Sequence, residues 1–119
     1  MKLLIVDDST IIRRAIEKYV ASLNFAEVHE AVNGKIALEK FAENKYEVVT
    51  LDITMPEMDG LSALEEMLKV KGDTKVIVIS ALNDRATGME ALKKGAAAFL
   101  GKPFSEEKII ETINRVLGE

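Results

Sequence analysis

Val48-Val49-Thr50-Leu51, closed by Asp52, is the key to this sequence. The run shows no alternation of apolar and polar residues, so a strand built from it needs apolar cover on both faces. The acid at its end marks where the chain leaves that cover. The same pattern recurs on either side. Toward the C-terminus, Val76-Ile77-Val78-Ile79 is the most hydrophobic strand and stops at Ser80, and 97–101 forms a further strand with Lys102 just past it. Toward the N-terminus, Leu3-Leu4-Ile5-Val6 stops at Asp7, and 27–32 reads as the remaining strand.

Helical spacings fill the gaps. Ile12, Ala15, Ile16, Tyr19, Val20 and Leu23 recur every three or four residues, one face of a helix. A second helix covers 34–44 with Ala37, Leu38 and Phe41 facing inward. A third buries Leu61, Leu64, Met67 and Leu68, with Gly72 as its expected C-terminal stop. The fourth, 84–94, is thinly apolar and ends at Gly95. Ser105 caps the last, with Glu106 and Glu107 in its first turn and Ile109, Ile110, Ile113 and Val116 as its core stripe. Five rounds of strand then helix imply a parallel sheet covered on both faces. Five strands are too few for an eight-fold barrel, which leaves a doubly wound α/β sandwich.

Composition narrows the function. The 119 residues fit one domain, 1–119, and 48% apolar residues suffice for its core. There is no cysteine, hence no disulfide framework and no thiolate metal site, which suits the cytoplasm. Met1 to Val6 reaches Asp7 and Asp8 too soon for a signal peptide, and no apolar run has membrane-spanning length. Sixteen basic residues against 20 acidic ones give a net charge of −4, whose field repels nucleic acid.

In an open parallel sheet, ligands bind beyond the carboxyl ends of the strands. Here those ends carry Asp7, Asp8, Asp52, Ser80 and Lys102: three carboxylates, a hydroxyl and an ammonium. Adjacent carboxylates raise one another's pKa unless a cation joins them. A hard, oxygen-seeking divalent ion is the natural guest; Mg²⁺ typically takes one or two carboxylates plus a phosphate oxygen and keeps several waters. One carboxylate is then free to attack phosphorus, with the metal and Lys102 offsetting charge on the transferring group.

Val6-Asp7-Asp8-Ser9, Leu51-Asp52-Ile53-Thr54-Met55-Pro56-Glu57-Met58-Asp59-Gly60, Val78-Ile79-Ser80-Ala81 and Lys102-Pro103-Phe104 resemble the four signatures of bacterial response-regulator receiver domains, in the family's order and from end to end of the chain. The likeness is to free-standing, CheY-like members. It implies a flavodoxin-like sheet of five parallel strands in the order 2-1-3-4-5, with five helices. It also implies that Asp52 accepts a phosphoryl group from a histidine kinase. Asp8 and Asp52 would bind Mg²⁺ directly, Asp7 through water, and the backbone carbonyl of Thr54 would complete the site. Lys102 would meet a phosphoryl oxygen, and the Lys102-Pro103 bond would be cis.

The family's switch maps onto Ser80, which would bond the phosphoryl group and draw its loop inward, and onto Phe99, which would rotate into the vacated space. Phe99 stands where many members carry tyrosine, so it fills a pocket but donates no hydrogen bond. Ile53, Thr54 and Leu82 would line the approach and set the aspartyl phosphate's lifetime. Such a protein is a signalling switch rather than an enzyme. It acts as a monomer through protein contacts: a histidine kinase as donor, a phosphatase, and an effector such as a flagellar motor switch in chemotaxis, or a phosphorelay protein.

Each residue also has a plainer reading. Asp7-Asp8-Ser9 is an ordinary helix N-cap, Asp59-Gly60 ordinary turn chemistry, Lys102 an ordinary surface charge. Only their joint placement at strand ends favours a site. His29 reads as an outer-strand residue, Met55 and Met58 as loop packing, Arg13 and Arg14 as a solvated helix face. The fourth helix is either simply exposed or part of the partner face formed with the strand of Phe99 and the last helix. Three rival functions fit less well, one of them a receiver-like binding module that no longer takes phosphate, against which the full set of expected site residues counts. An aspartate-nucleophile phosphatase of the haloacid-dehalogenase type needs Asp-x-Asp after its first strand, whereas Asp7 and Asp8 are adjacent. A flavin or dinucleotide carrier needs a glycine-rich loop there, whereas this loop is acidic.

Overall fold

The computed structural model describes residues 1–53, 60–81 and 84–118. Strands β1 (Lys2–Val6), β2 (Glu27–Ala31), β3 (Val48–Asp52), β4 (Lys75–Ala81) and β5 (Ala98–Lys102) alternate with helices α1 (Thr10–Tyr19), α2 (Gly34–Glu43), α3 (Gly60–Val70), α4 (Arg85–Lys93) and α5 (Glu106–Val116). All neighbouring strands pair in parallel, in the order β2-β1-β3-β4-β5. That is the doubly wound order expected.

The period-two geometry of strands divides the core in two. Leu4, Val6, Val49, Leu51, Val76 and Val78 point to one face, where Ala37 and Phe41 of α2 and Ala63, Leu64 and Met67 of α3 cover them. Leu3, Ile5, Val48, Ile77, Ile79 and Leu100 point to the other, against Ile16 of α1 and Ile109 and Ile113 of α5. The uninterrupted hydrophobicity of β1, β3 and β4 thus reflects two apolar faces. Helix starts follow local chemistry: side-chain oxygens of Ser9, Asn33, Asp84 and Ser105 accept backbone N–H groups of Ile12, Ile36, Thr87 and Lys108. Each cap is worth about 0.5–2 kcal/mol.

Three expectations need correction and one a refinement. The first helical face continues past α1 as a tighter 3₁₀ turn, Val20–Leu23, which ends where Asn24 adopts φ 59°. The third helix does end just before Gly72, at Val70, but Gly72 has no positive φ, so it is not a left-handed cap. That conformation belongs to Gly95 (φ 111°), after α4, and to Gly118. In α5, Ile110 is only half-buried while Thr112 is buried, its hydroxyl turned back to donate to the Lys108 carbonyl. Arg13 is the largest departure. It is 7% exposed, because it shares the inner side of α1 with Ile16, three residues on, and Val20, seven on. Arg14 remains exposed. His29 does lie on the edge strand β2, its two ring nitrogens occupied by the Tyr46 hydroxyl (2.6 Å) and Glu27 (3.1 Å).

Candidate functional site

Strand register brings the strand-end residues together. Val6 pairs with Leu51, so Asp7, one residue on, stands level with Asp52. Asp52 pairs with Ile79, one residue before Ser80, and Ala81 pairs with Lys102. The polar residues therefore emerge side by side at the carboxyl edge of β1, β3, β4 and β5. Asp8, on the turn between β1 and α1, is exposed, while Asp7, Asp52 and Ser80 are buried. Asp7, Asp8 and Asp52 each offer a carboxylate oxygen within 4.8 Å of the others, the one such acidic group among the described residues.

Lys102 reaches into this group from β5. Its Nζ lies 3.0 Å from Asp52 Oδ2, to which it donates a hydrogen bond, and 3.2 Å from Asp7 Oδ2. Burial pushes the lysine's pKa down, but Asp52 and then Asp7 outweigh that, and the net shift is upward. The ammonium is thus held charged. Asp7 moves upward as well. Its burial is the main cause and the charge on Asp52 adds to it, against the Ser9 N–H and Lys102. One ammonium does not neutralise three acids, so the site retains an affinity for further positive charge. Hard oxygen donors at this spacing suit a hard divalent cation.

Ser80 Oγ is a second feature suited to an oxyanion. It is buried and has no hydrogen-bond partner among the described residues. A hydroxyl left so costs about 1–3 kcal/mol, a penalty a bound oxyanion would relieve. Thr50 Oγ1 is likewise unpartnered among the described residues, but it lies within β3, before the strand's edge.

Phe99, on β5, packs its half-buried ring against α4. A methyl group at Gly88 would fall 2.5 Å from the ring's Cδ2 and Cε2. Ile53 is buried just after β3, its N–H donating to the Ile79 carbonyl. The Lys102-Pro103 bond is cis, as expected. Thr54, Met55, Met58, Asp59 and Leu82 lie outside the described residues. Sequence reasoning missed Arg13, although its three- and seven-residue spacing to Ile16 and Val20 was a visible signal.

This is the edge geometry of a phosphorylation-activated switch, and the response regulator receiver domain family matches residues 3–114. The chain belongs to that family, whose members are switches of two-component signalling rather than conventional enzymes. Receiver domains bind Mg²⁺ at an aspartate cluster, and CheY-like ones interact with histidine kinases and downstream targets. The chain is 40% identical to the chemotaxis protein CheY of Thermotoga maritima, over 97% of this chain and 96% of that one. It is 44% identical to the chemotaxis protein CheY of Listeria monocytogenes, over 97% of each. A CheY-like receiver domain protein solved from Methanospirillum hungatei JF-1 matches with a TM-score of 0.90 at 27% identity, covering 98% of this chain and 92% of that one. No helix among the described residues is long and apolar enough to cross a membrane.

Proposed function

We propose that Asp52 is the phosphoacceptor of a chemotaxis switch, taking its phosphoryl group from a histidine kinase and signalling through protein contacts in the cytoplasm. The reading is carried by one observation: Asp52 is a buried carboxylate held 3.0 Å from Lys102, inside a group of three acids. Asp8 and Asp52 would hold Mg²⁺ directly, with Asp7 acting through water and the Thr54 carbonyl as a further ligand. When bound, the ion supplies positive charge against the phosphoryl oxygens.

The chain's own residues do the rest. An Asp52 oxygen forms the new P–O bond as the donor's P–N bond breaks, and the electron pair of that bond returns to the imidazole nitrogen. The Lys102 ammonium, now paired with two carboxylates, follows the negative charge onto a phosphoryl oxygen. Ser80 Oγ, which has no hydrogen-bond partner among the described residues, donates to another and draws the start of the β4–α4 connection toward Asp52. Phe99 and α4 answer that movement, and their surface with α5 presents the signal to a flagellar motor switch protein. A phosphatase acting on the same aspartate would end it. The chemotaxis assignment is supported by the CheY relatives, which align over nearly their whole length. A phosphorelay role would use the same site with a different output.

Acetyl phosphate with Mg²⁺ tests this directly. Intact-mass measurement should find one phosphoryl group on the parent and none on Asp52→Asn. Beryllofluoride should perturb the amide resonances of Ser80 and Phe99 in the parent alone. An Asp52→Asn protein that is modified as the parent is would refute the assignment.

A further inference from the structure

Arg13 has a role that neither its charge nor its place on α1 explains by itself. A cation buried on an inner helix face is costly, and an aliphatic side chain would fill the same space without desolvation. Yet all three guanidinium nitrogens are engaged. Nη1 donates to the Asp7 carbonyl at 2.7 Å, Nε to Glu30 Oε1 at 3.0 Å, and Nη2 to Thr10 Oγ1 at 3.1 Å. Glu30, on β2, compensates the charge and aims the planar group.

The Asp7 carbonyl is a particular target, because it belongs to the peptide that joins Asp7 to Asp8. Two further polar groups of Asp7 are also tied: its N–H donates to the Ala31 carbonyl at 3.2 Å, and its Oδ1 accepts the Ser9 N–H at 2.9 Å. With the carbonyl held as well, that peptide plane has one orientation. Asp8 follows directly from it, and Asp8 is the exposed acid of the three, without the surrounding core that fixes Asp7 and Asp52.

We propose that Arg13 is the positioning residue of the acid site: through the Asp7 carbonyl it sets the Asp7–Asp8 peptide and so aims the Asp8 carboxylate at a hard divalent cation, while Glu30 holds Arg13 in place. The inference rests on the cation-binding reading of the acid cluster. It adds a connection from that cluster, through α1, to the edge strand β2.

Mg²⁺ titration by calorimetry on the parent, Arg13→Ala, Arg13→Lys and Glu30→Gln tests it, well below each protein's melting temperature. Outer partners of metal ligands commonly contribute 10- to 100-fold in affinity, so Arg13→Ala should weaken Mg²⁺ binding about 10-fold or more. Arg13→Lys, which keeps one donor for the Asp7 carbonyl, should recover part of the loss, and Glu30→Gln should lose less than Arg13→Ala. A merely structural role would lower the melting temperature in chelator and leave Mg²⁺ affinity at the parent's value; that result overturns the proposal. If Arg13→Ala does not fold, Arg13→Lys and Glu30→Gln decide, and parent-like affinity in both overturns it. A parent that binds no Mg²⁺ removes the cation site itself, whereas a parent that binds and is matched by its variants removes only the role of Arg13.

Discussion

Asp7 and Asp52 sit side by side in a buried pocket with a single ammonium between them, and this has a consequence for stability. Burial first, and the charge of Asp52 second, raise the Asp7 pKa above its usual 3.8. The folded protein therefore holds the Asp7 proton more tightly than the unfolded chain does. By linkage, the contribution of this group is full below pH 3.8 and is lost as pH rises through the folded-state value. At neutral pH in chelator, Asp7→Asn should then be more stable than the parent, and the difference should vanish near pH 3. Mg²⁺ should raise the parent's urea midpoint more than the variant's. Urea titrations at both pH values check the sign, and a variant less stable than the parent at pH 7 would contradict it.

Among the elements, α4 is attached most distinctively. Only Gly88 and Ala91 of this helix are buried, while Met89 is 56% exposed and Leu92 37%. The helix approaches β5 through the missing side chain at Gly88, against which the Phe99 ring lies. Alanine at an exposed helix position gains about 1 kcal/mol over glycine. At position 88 we expect the opposite sign, a loss of about 1–3 kcal/mol, because the added methyl meets the ring at a distance real contacts do not reach. Removing the ring as well should relieve the clash, so Gly88→Ala and Phe99→Ala should combine non-additively. Denaturant unfolding of the four proteins of that cycle measures it. A Gly88→Ala protein more stable than the parent would show that the ring moves aside without cost.

At the scale of the molecule, the two apolar layers share one sheet, and β4 contributes to both. Ile77 and Ile79 face one layer, Val76 and Val78 the other. Ile77→Ala should cost about 2–5 kcal/mol as a cavity in a close-packed interior. The loss should appear as one cooperative transition at a lower midpoint, since neither layer keeps its cover without the sheet. Tyr46, packed in one layer, and Tyr19, against the other, serve as separate probes. Non-coincident transitions at the two tyrosines would mean that the layers unfold independently.

The alternation of strands and helices, the two-sided cover of β1, β3 and β4, and the polar residues at four of the five strand ends were legible in the sequence because they depend on short-range pattern. A run such as Val48 to Leu51 specifies its own cover, and four strand ends carrying Asp7, Asp52, Ser80 and Lys102 could be ranked as a site before any contact was known. What only the tertiary structure decided are pairings between separate elements: Lys102 with two particular carboxylates, Arg13 with the Asp7 carbonyl and Glu30, and the Phe99 ring with Gly88. Each depends on the register in which separate strands align and on the rotation at which a helix settles on the sheet. Those are fixed by the packing of the whole core, so local sequence, even where it holds both partners, does not show that they meet.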